Sequence, residues 1–414
     1  MFTSFSTALS ALSAHSTAVD IVGNNLANIN TPGFKANTVG FYDLVTQSLG
    51  AGFGETQVGF GVARPLTFRH FTQGAVKASS GELDVAVQGD GFLVLKDAAG
   101  AALYSRGGIL QVDSAGTLLT ATGHRVQGWM ERNGALTTNG PVGDIVVPVG
   151  SIKNPVATTR FSFDMNLNAN ATAGPPADTF TANIEVFDSL GSSHLVTVQF
   201  TKDTTANVWD YSLSFDNNDV TTPITPVAGS ITFDSSGRMT APPVAGPFPN
   251  LQVTGLINGA ADLDLTWNLY DSTTPRLTQF NQPSAVAANQ QDGSAAAQLL
   301  RVGIGNGGAV LAQYSNGTQA IVGQLAMASI RNAQSLIATG NNSYQVSAKT
   351  ALPAVGVPNT GGRGNILGGA IESSTVDIAR EFTNLIVYQR GFQANSRVIT
   401  TVDEMSQEAI NLKR

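Results

Sequence analysis

Cysteine is missing from all 414 residues, which excludes disulfides, thiolate catalysis and thiolate-bound zinc. Such an absence suits a chain that passes unfolded into an oxidising exterior. Charge is scarce as well: Lys, Arg, Asp and Glu make up 12% of the chain, against a usual share of about 25%. Ser, Thr, Asn and Gln must therefore wet much of the surface. A net charge of −7 with no basic cluster leaves no footprint for nucleic acid. No apolar run approaches the roughly 18 to 20 residues of a membrane span. The first residues carry no Lys or Arg and their apolar positions are spaced, so no cleavable signal peptide is expected and export, if it occurs, keeps these residues. The length leaves room for two or three domains, because one core rarely serves more than about 250 to 300 residues.

What the chain does have is periodicity at both ends. Phe2, Phe5, Leu9, Leu12, Ser16, Val19, Gly23 and Leu26 fall on alternating three- and four-residue steps, a coiled-coil-like seam with weak rungs at Ser16 and Gly23. Ser, Thr and β-branched residues fill much of the remainder, so this helix is marginal alone and needs a partner. The matching ladder lies at the far end, through Ile378, Phe382, Leu385, Gln389, Phe392, Ser396, Ile399, Val402, Met405, Ala409 and Leu412, with one slip near Val402. Ser374 with Asp377 fits a capping box, Asp377 and Glu381 suit the positive end of the helix dipole, and Lys413 and Arg414 suit its negative end.

Between these ends the texture is β. LDVAVQ, FLVLKD, ALYSR, ILQVD, LLTATG and HRVQGWM alternate apolar and polar residues between GDG, AAG and SAG turns and predict an antiparallel meander; a second runs from Gln298 to Ile330 with NGG and SNG as hairpin turns. From Pro148 to Pro283, Thr/Pro-rich turns separate FSFDMNL, ANIEVFD, HLVTVQF and LDLTWNLY, which marks an inserted domain. The expected fold is mainly β with α-helical termini, in nested domains. Residues 1–30 and 372–414 form a helical inner domain, 31–80 a linking segment, 81–147 and 284–371 an inner β domain, and 148–283 an outer β domain inserted in it.

The first helix is broken by Gly23 to Lys35, GNNLANINTPGFK. Asn28 and Asn30 suit capping of orphan carbonyls or left-handed backbone, Pro32 forbids further helix, and Gly33 permits a turn. This stretch resembles the signature of the flagellar rod and hook axial family, with Asn24 or Asn25, Ala27, Asn28, Thr31, Gly33 and Phe34 in the family's positions. LDVAVQGDGFLVL followed by YSRGG is similar to the family's first β-domain hairpin. Ile371 to Met405 is similar to its C-terminal helix, with Gln389, Arg390, Gln393, Ala394 and Asn395 in the recurrent places. Leu93, Ser374, Gly391 and Phe392 depart from the commonest family residues without changing the physical pattern. Length and the inserted domain match hook subunits better than distal-rod subunits.

The resemblance implies a structural subunit that polymerises with itself into the curved tube between rod and filament, with paired terminal helices lining an axial channel. It implies a site outside the cell in the flagellum, and partners at the distal rod, hook cap, hook-filament junction protein and flagellar type III export apparatus. The residues expected to form the assembly seam are Phe5, Leu9, Leu12, Val19, Leu26, Ile378, Phe382, Leu385, Phe392, Ile399 and Met405.

Chemical alternatives find little support. GIGNGG (303–308) matches a dinucleotide fingerprint, yet no Asp or Glu follows before Glu372, and Asn306-Gly307 reads as a hairpin turn. His15, His70, His124 and His194 lack metal spacing. DNNDV (216–220) lacks the Gly and Glu of a calcium loop. Asp262 and Asp264 share a strand face without a sugar-stacking cleft around them. No enzymatic activity, cofactor or metal is expected. Two other readings are a distal-rod-type subunit and a secreted β-rich adhesin whose helices only anchor it.

Overall fold

Two long helices bound the chain: α1, Phe2–Ala27, and α2, Ile378–Asn411. The computed structural model describes residues 2–44, 46–49, 56–132 and 135–411, with side chains for 4–44, 59–132 and 135–411. The expectations resting on the side chains of Phe2, Leu412, Lys413 and Arg414 lie outside these. Strands make up most of the rest, and α1 packs along α2, as the terminal periodicities predict. The chain forms two compact units, Met1–Val149 with Arg301–Gln313 and Gln319–Arg414, and Gly150–Leu300 with Tyr314–Thr318.

In the first unit, Phe92–Lys96 pairs antiparallel with Ala102–Ser105 and, on its other side, with Arg125–Arg132 and Met327–Ser329. Gln319–Leu325 extends the sheet beyond Arg125–Arg132 and forms a hairpin with Ala309–Tyr314. The NGG and SNG turns close as read: Gly305 N–H donates to the Ala309 carbonyl at 2.8 Å, and Tyr314 N–H to that of Thr318 at 2.9 Å.

One expected hairpin is absent. Val85–Gln88 pairs with Asn365–Gly368, not with Phe92–Lys96 across the GDG turn. Val85, Ala86 and Val87 are all buried, so this strand is covered on both faces and lacks the in-out alternation of a simple meander. Nearby, Ala370–Glu372 pairs with Val76–Ala78. The residues leading into α2 are thereby anchored on strands that follow α1.

The second unit is a sandwich. Thr179–Phe187, Ser193–Lys202, Val208–Phe215, Val227–Phe233 and Met239–Ala241 pair in chain order. The facing sheet runs Asn250–Val253, Leu263–Trp267, Arg160–Asn168, Leu277–Phe280, with Ala285–Gln291 also on Arg160–Asn168. Arg160–Asn168 runs parallel to two of its neighbours. Alternating residues such as Val196, Val198 and Phe200 point inward, where the fully buried Trp267 meets Phe200 and Tyr211 edge-on at 5.9 and 5.4 Å.

The chemical decoys resolve as structure. Asp216 caps a 3-10 turn at Asn217–Asp219, while Asp262 accepts from Gly255 N–H and Asp264 from the Asn250 amide.

Candidate assembly site

The ladders predict that large apolar residues interlock the helices. The least exposed stripes lie one residue earlier along much of both helices, and on α2 they rejoin the ladder at Ile399 and Val402. On α1 they are Ala8, Ala14, Ala18 and Val22, between α2 and the segment after the helix, where Val62 N–H bonds Ser10 and Phe41 meets His15. On α2 the least exposed line runs through Glu381, Tyr388, Gly391, Asn395, Ile399 and Val402. Alanines dominate the α1 line and Gly391 stands in the α2 line, which allows a close approach that larger side chains prevent.

Gly391 marks a close approach, since a Cβ there would lie 2.6 Å from the His15 ring. That ring is held between Phe41 and Tyr388, at centroid distances of 5.5 and 6.3 Å. Gly391→Leu is therefore expected to destabilise the helix pair by about 1 to 3 kcal/mol through overpacking, although leucine favours helix by up to about 1 kcal/mol. Thermal unfolding of the variant, with and without a compensating His15→Ala, checks this.

The seam residues are left largely open. Phe5 and Phe392 are 42% exposed, Phe382 52%, Ile378 53%, Leu9 54% and Met405 56%. Leu12, Val19, Leu26, Leu385 and Ile399 are half-buried. The two ladders meet at a groove of about 260 Å³ lined by Ser16, Val19, Gln389, Phe392 and Gln393. They flank one opening instead of filling each other's gaps.

At the root of the helix pair the GNNLANINTPGFK turn is held by five ties. Asn25, fully buried, donates to the Asn37 carbonyl at 2.7 Å and accepts from its N–H at 3.0 Å. Asn28 donates to the Asn24 carbonyl at 2.9 Å and accepts from Thr31 at 3.0 Å, so it caps through its side chain; neither it nor Asn30 takes positive φ. The Pro32 carbonyl accepts from Asn342 at 2.8 Å. Gly33 has φ +73°, and a Cβ there would lie 2.7 Å from the Arg106 carbonyl oxygen, so glycine is required twice over. Ala27 ends α1, and the Phe34 carbonyl accepts from Thr375 N–H at 3.1 Å.

The fifth tie is ionic, and the sequence reading missed it. Lys35 Nζ lies 2.6 Å from Glu372 Oε1 with both side chains fully buried, and it also donates to the Thr72 carbonyl at 2.7 Å. Gly74 N–H donates to the same carboxylate oxygen at 2.6 Å. Arg106, also buried, stands 3.8 Å away and donates to the carbonyls of Gly91 and Gly89 across the GDG turn. Burial lowers the Lys35 pKa despite the opposing pull of Glu372, and burial likewise lowers that of Arg106. The available signal was scarcity, since in a chain so poor in charge each of these ions sits inside one of the three family-like stretches.

The capping box is corrected. The Asp377 carboxylate accepts from Arg380 N–H at 3.0 Å and is itself the N-cap, while Ser374 accepts from Val376 N–H in the turn before the helix. On α2, Asn395 donates back to the Gly391 carbonyl at 2.8 Å, Gln389 and Gln393 line the groove, and Arg390 is exposed.

Four family models match the chain: "Flagella basal body rod protein" over 5–35, "Flagellar hook protein FlgE/F/G D1 domain" over 86–166, "Flagellar basal body protein FlaE D2 domain" over 164–294, and "Flagellar basal body rod FlgEFG protein C-terminal" over 367–412. The chain is similar to the flagellar hook protein FlgE of Treponema pallidum, 32% identical over the whole of both chains. It is 31% identical to that of Escherichia coli, over 99% of this chain and all of the other. Among solved structures it resembles Helicobacter pylori flagellar hook protein FlgE2, with a TM-score of 0.51 and 14% identity over 66% of this chain and 94% of that one, a likeness of fold.

Proposed function

Because this chain belongs to the flagellar hook protein family, we propose that its half-open helix pair is the surface through which it polymerises, as a structural subunit of the bacterial flagellum, into the flexible tube linking rod to filament. The supporting observation is the groove at Ser16, Val19, Gln389 and Phe392, flanked by large apolar side chains that the subunit does not cover by itself. Fully burying one such side chain contributes about 1.5 to 3 kcal/mol, so several half-exposed ones along two helices supply a strong drive for a neighbour's helices to cover them.

In this reading residues 1–30 and 372–414 line the channel, 31–80 links them outward, the inner β domain follows, and the outer domain extends past Pro283 through the strand Ala285–Gln291. The seam is Phe5, Leu9, Leu12, Val19, Leu26, Ile378, Phe382, Leu385, Phe392, Ile399 and Met405. The rod, cap and junction proteins would meet the ends of the tube. Passage through the flagellar export apparatus would deliver the chain, uncleaved, outside the cell.

Electron microscopy of the full chain under precipitating salt tests the reading. Tubes are expected from the intact protein and not from one lacking 1–30 and 372–414; tubes from the cropped protein would reject it. The chain is poor in charge and rich in Ser, Thr and Asn, so the outer unit's contacts with neighbours should be weak and polar. Replacing 150–296 with a short linker is expected to leave tubes that are straight, and unchanged curvature would reject that role.

A further inference from the structure

His194 is buried in the second unit with a carboxylate on each ring nitrogen. Nδ1 lies 2.7 Å from Asp219 Oδ2, and Nε2 lies 3.1 Å from Asp188 Oδ2. A carboxylate can only accept, and a neutral imidazole has one N–H, so both contacts are satisfied only by the imidazolium. Among the described residues no group of three His, Asp or Glu is arranged to hold a metal, and the ring's protons account for both contacts.

Each contact ties a different loop. Asp188 is fully buried and also accepts from Leu190 N–H, Ser192 N–H and the Asn258 amide. That loop packs on Pro155 and Ala296, beside Gly191. Asp219 is 36% exposed and ends the short 3-10 turn. Its loop is fastened to the next one by Ile257 N–H on the Asp219 carbonyl at 3.0 Å and Thr221 N–H on that of Gly255 at 2.9 Å. The other elements packed on the ring bring no charge: Val186 stands opposite on Thr179–Phe187, and the Phe215 ring lies 5.4 Å away.

We propose that His194 is a proton-operated latch for these loops, closed when the imidazole is doubly protonated and released at the Asp219 side when it loses one proton. Release falls there because Asp188 keeps its other donors and has no access to water, whereas Asp219 can turn to solvent. The loop freed would be 216–221, and with it Gly255 to Ile257, which carries the exposed side chain of Ile257.

The pKa directions agree. Burial opposes the charged ring, but the bonds and attraction of Asp219 and Asp188 outweigh it and raise the His194 pKa. Burial likewise opposes ionised Asp188, yet the Asn258, His194, Ser192 and Leu190 donors hold it down at about 2. With His194 raised, the latch is fully closed below the ordinary histidine value of about 6.5 and opens as pH rises through the higher folded value. On the acid side Asp188 holds until pH falls toward about 2.

The test is a pH titration of the full-length protein at a concentration that keeps it monomeric, following histidine ring signals and backbone amide protection. His194→Gln assigns the ring signal. It should also expose the amides of 216–221 at pH 6 as much as the wild type does above the midpoint. Asp219→Asn, an exposed change that leaves the core intact, should lower the His194 midpoint by a unit or more. A His194 midpoint at or below that of an ordinary histidine would overturn the latch. So would loop protection identical on both sides of the midpoint, or an unmoved midpoint in Asp219→Asn.

Discussion

Replacing Glu372 with alanine is expected to destabilise the helix-bearing unit by about 3 to 5 kcal/mol, the cost of leaving a buried cation without its partner. Here two cations lose it. Lys35 has no exposed surface and would keep only the Thr72 carbonyl, and Arg106 would lose the charge nearest to it. The Gly74 N–H would be stranded as well. The second unit supplies an internal control once Trp129 of the first unit is replaced by Phe, because Trp209 and Trp267 belong to its core. Denaturant unfolding should therefore move the transition seen by helical circular dichroism and leave the tryptophan transition of the sandwich in place. The double variant Lys35→Met with Glu372→Ala should recover part of the loss, since removing both ions of a buried pair costs less than removing one. If the single variant unfolds at the wild-type midpoint, the cluster is not what fastens the termini.

Phe392→Asp should act at the opposite stage. The side chain is 42% exposed at the groove, so in the solitary subunit the change is a surface substitution worth about 0.5 kcal/mol or less. In a tube the same position would place a carboxylate among apolar side chains, at a cost of several kcal/mol. Because assembly repeats the contact in every subunit, polymerisation should disappear while the monomer's melting curve is unchanged. Leu12→Asp, at a half-buried rung, should show the same loss with a modest drop in monomer stability. Normal tubes from Phe392→Asp would remove the groove from the assembly surface.

The elements whose signals are local were readable from the residues. Both helices, the strands around Phe92, Ala102, Phe161 and His194, and the NGG and SNG turns follow from period, turn chemistry and length. What escaped depends on partners far away in the chain. The ladder gathers large residues on each helix, but Ala8, Ala18 and Gly391 show that close packing also falls on small residues beside it, which carry little weight in a hydrophobicity pattern. The GDG turn has ideal hairpin chemistry, yet Val85–Gln88 finds its partner more than two hundred residues later at Asn365–Gly368. Ser374 and Asp377 both fit a cap, and only the position of the Arg380 N–H decides between them. The Lys35–Glu372 pair leaves no period at all, because its two members are joined only by the fold.

Lys35 comes just after α1 and Glu372 just before α2, so their bond rivets both rods at one root. Two rods fastened this way cannot ratchet lengthwise by a helical turn of about 5.4 Å without tearing out the rivet. Any stretching and shortening as such a tube rotates must then be shared among the seams between molecules, and each molecule keeps its own pair of rods in fixed register.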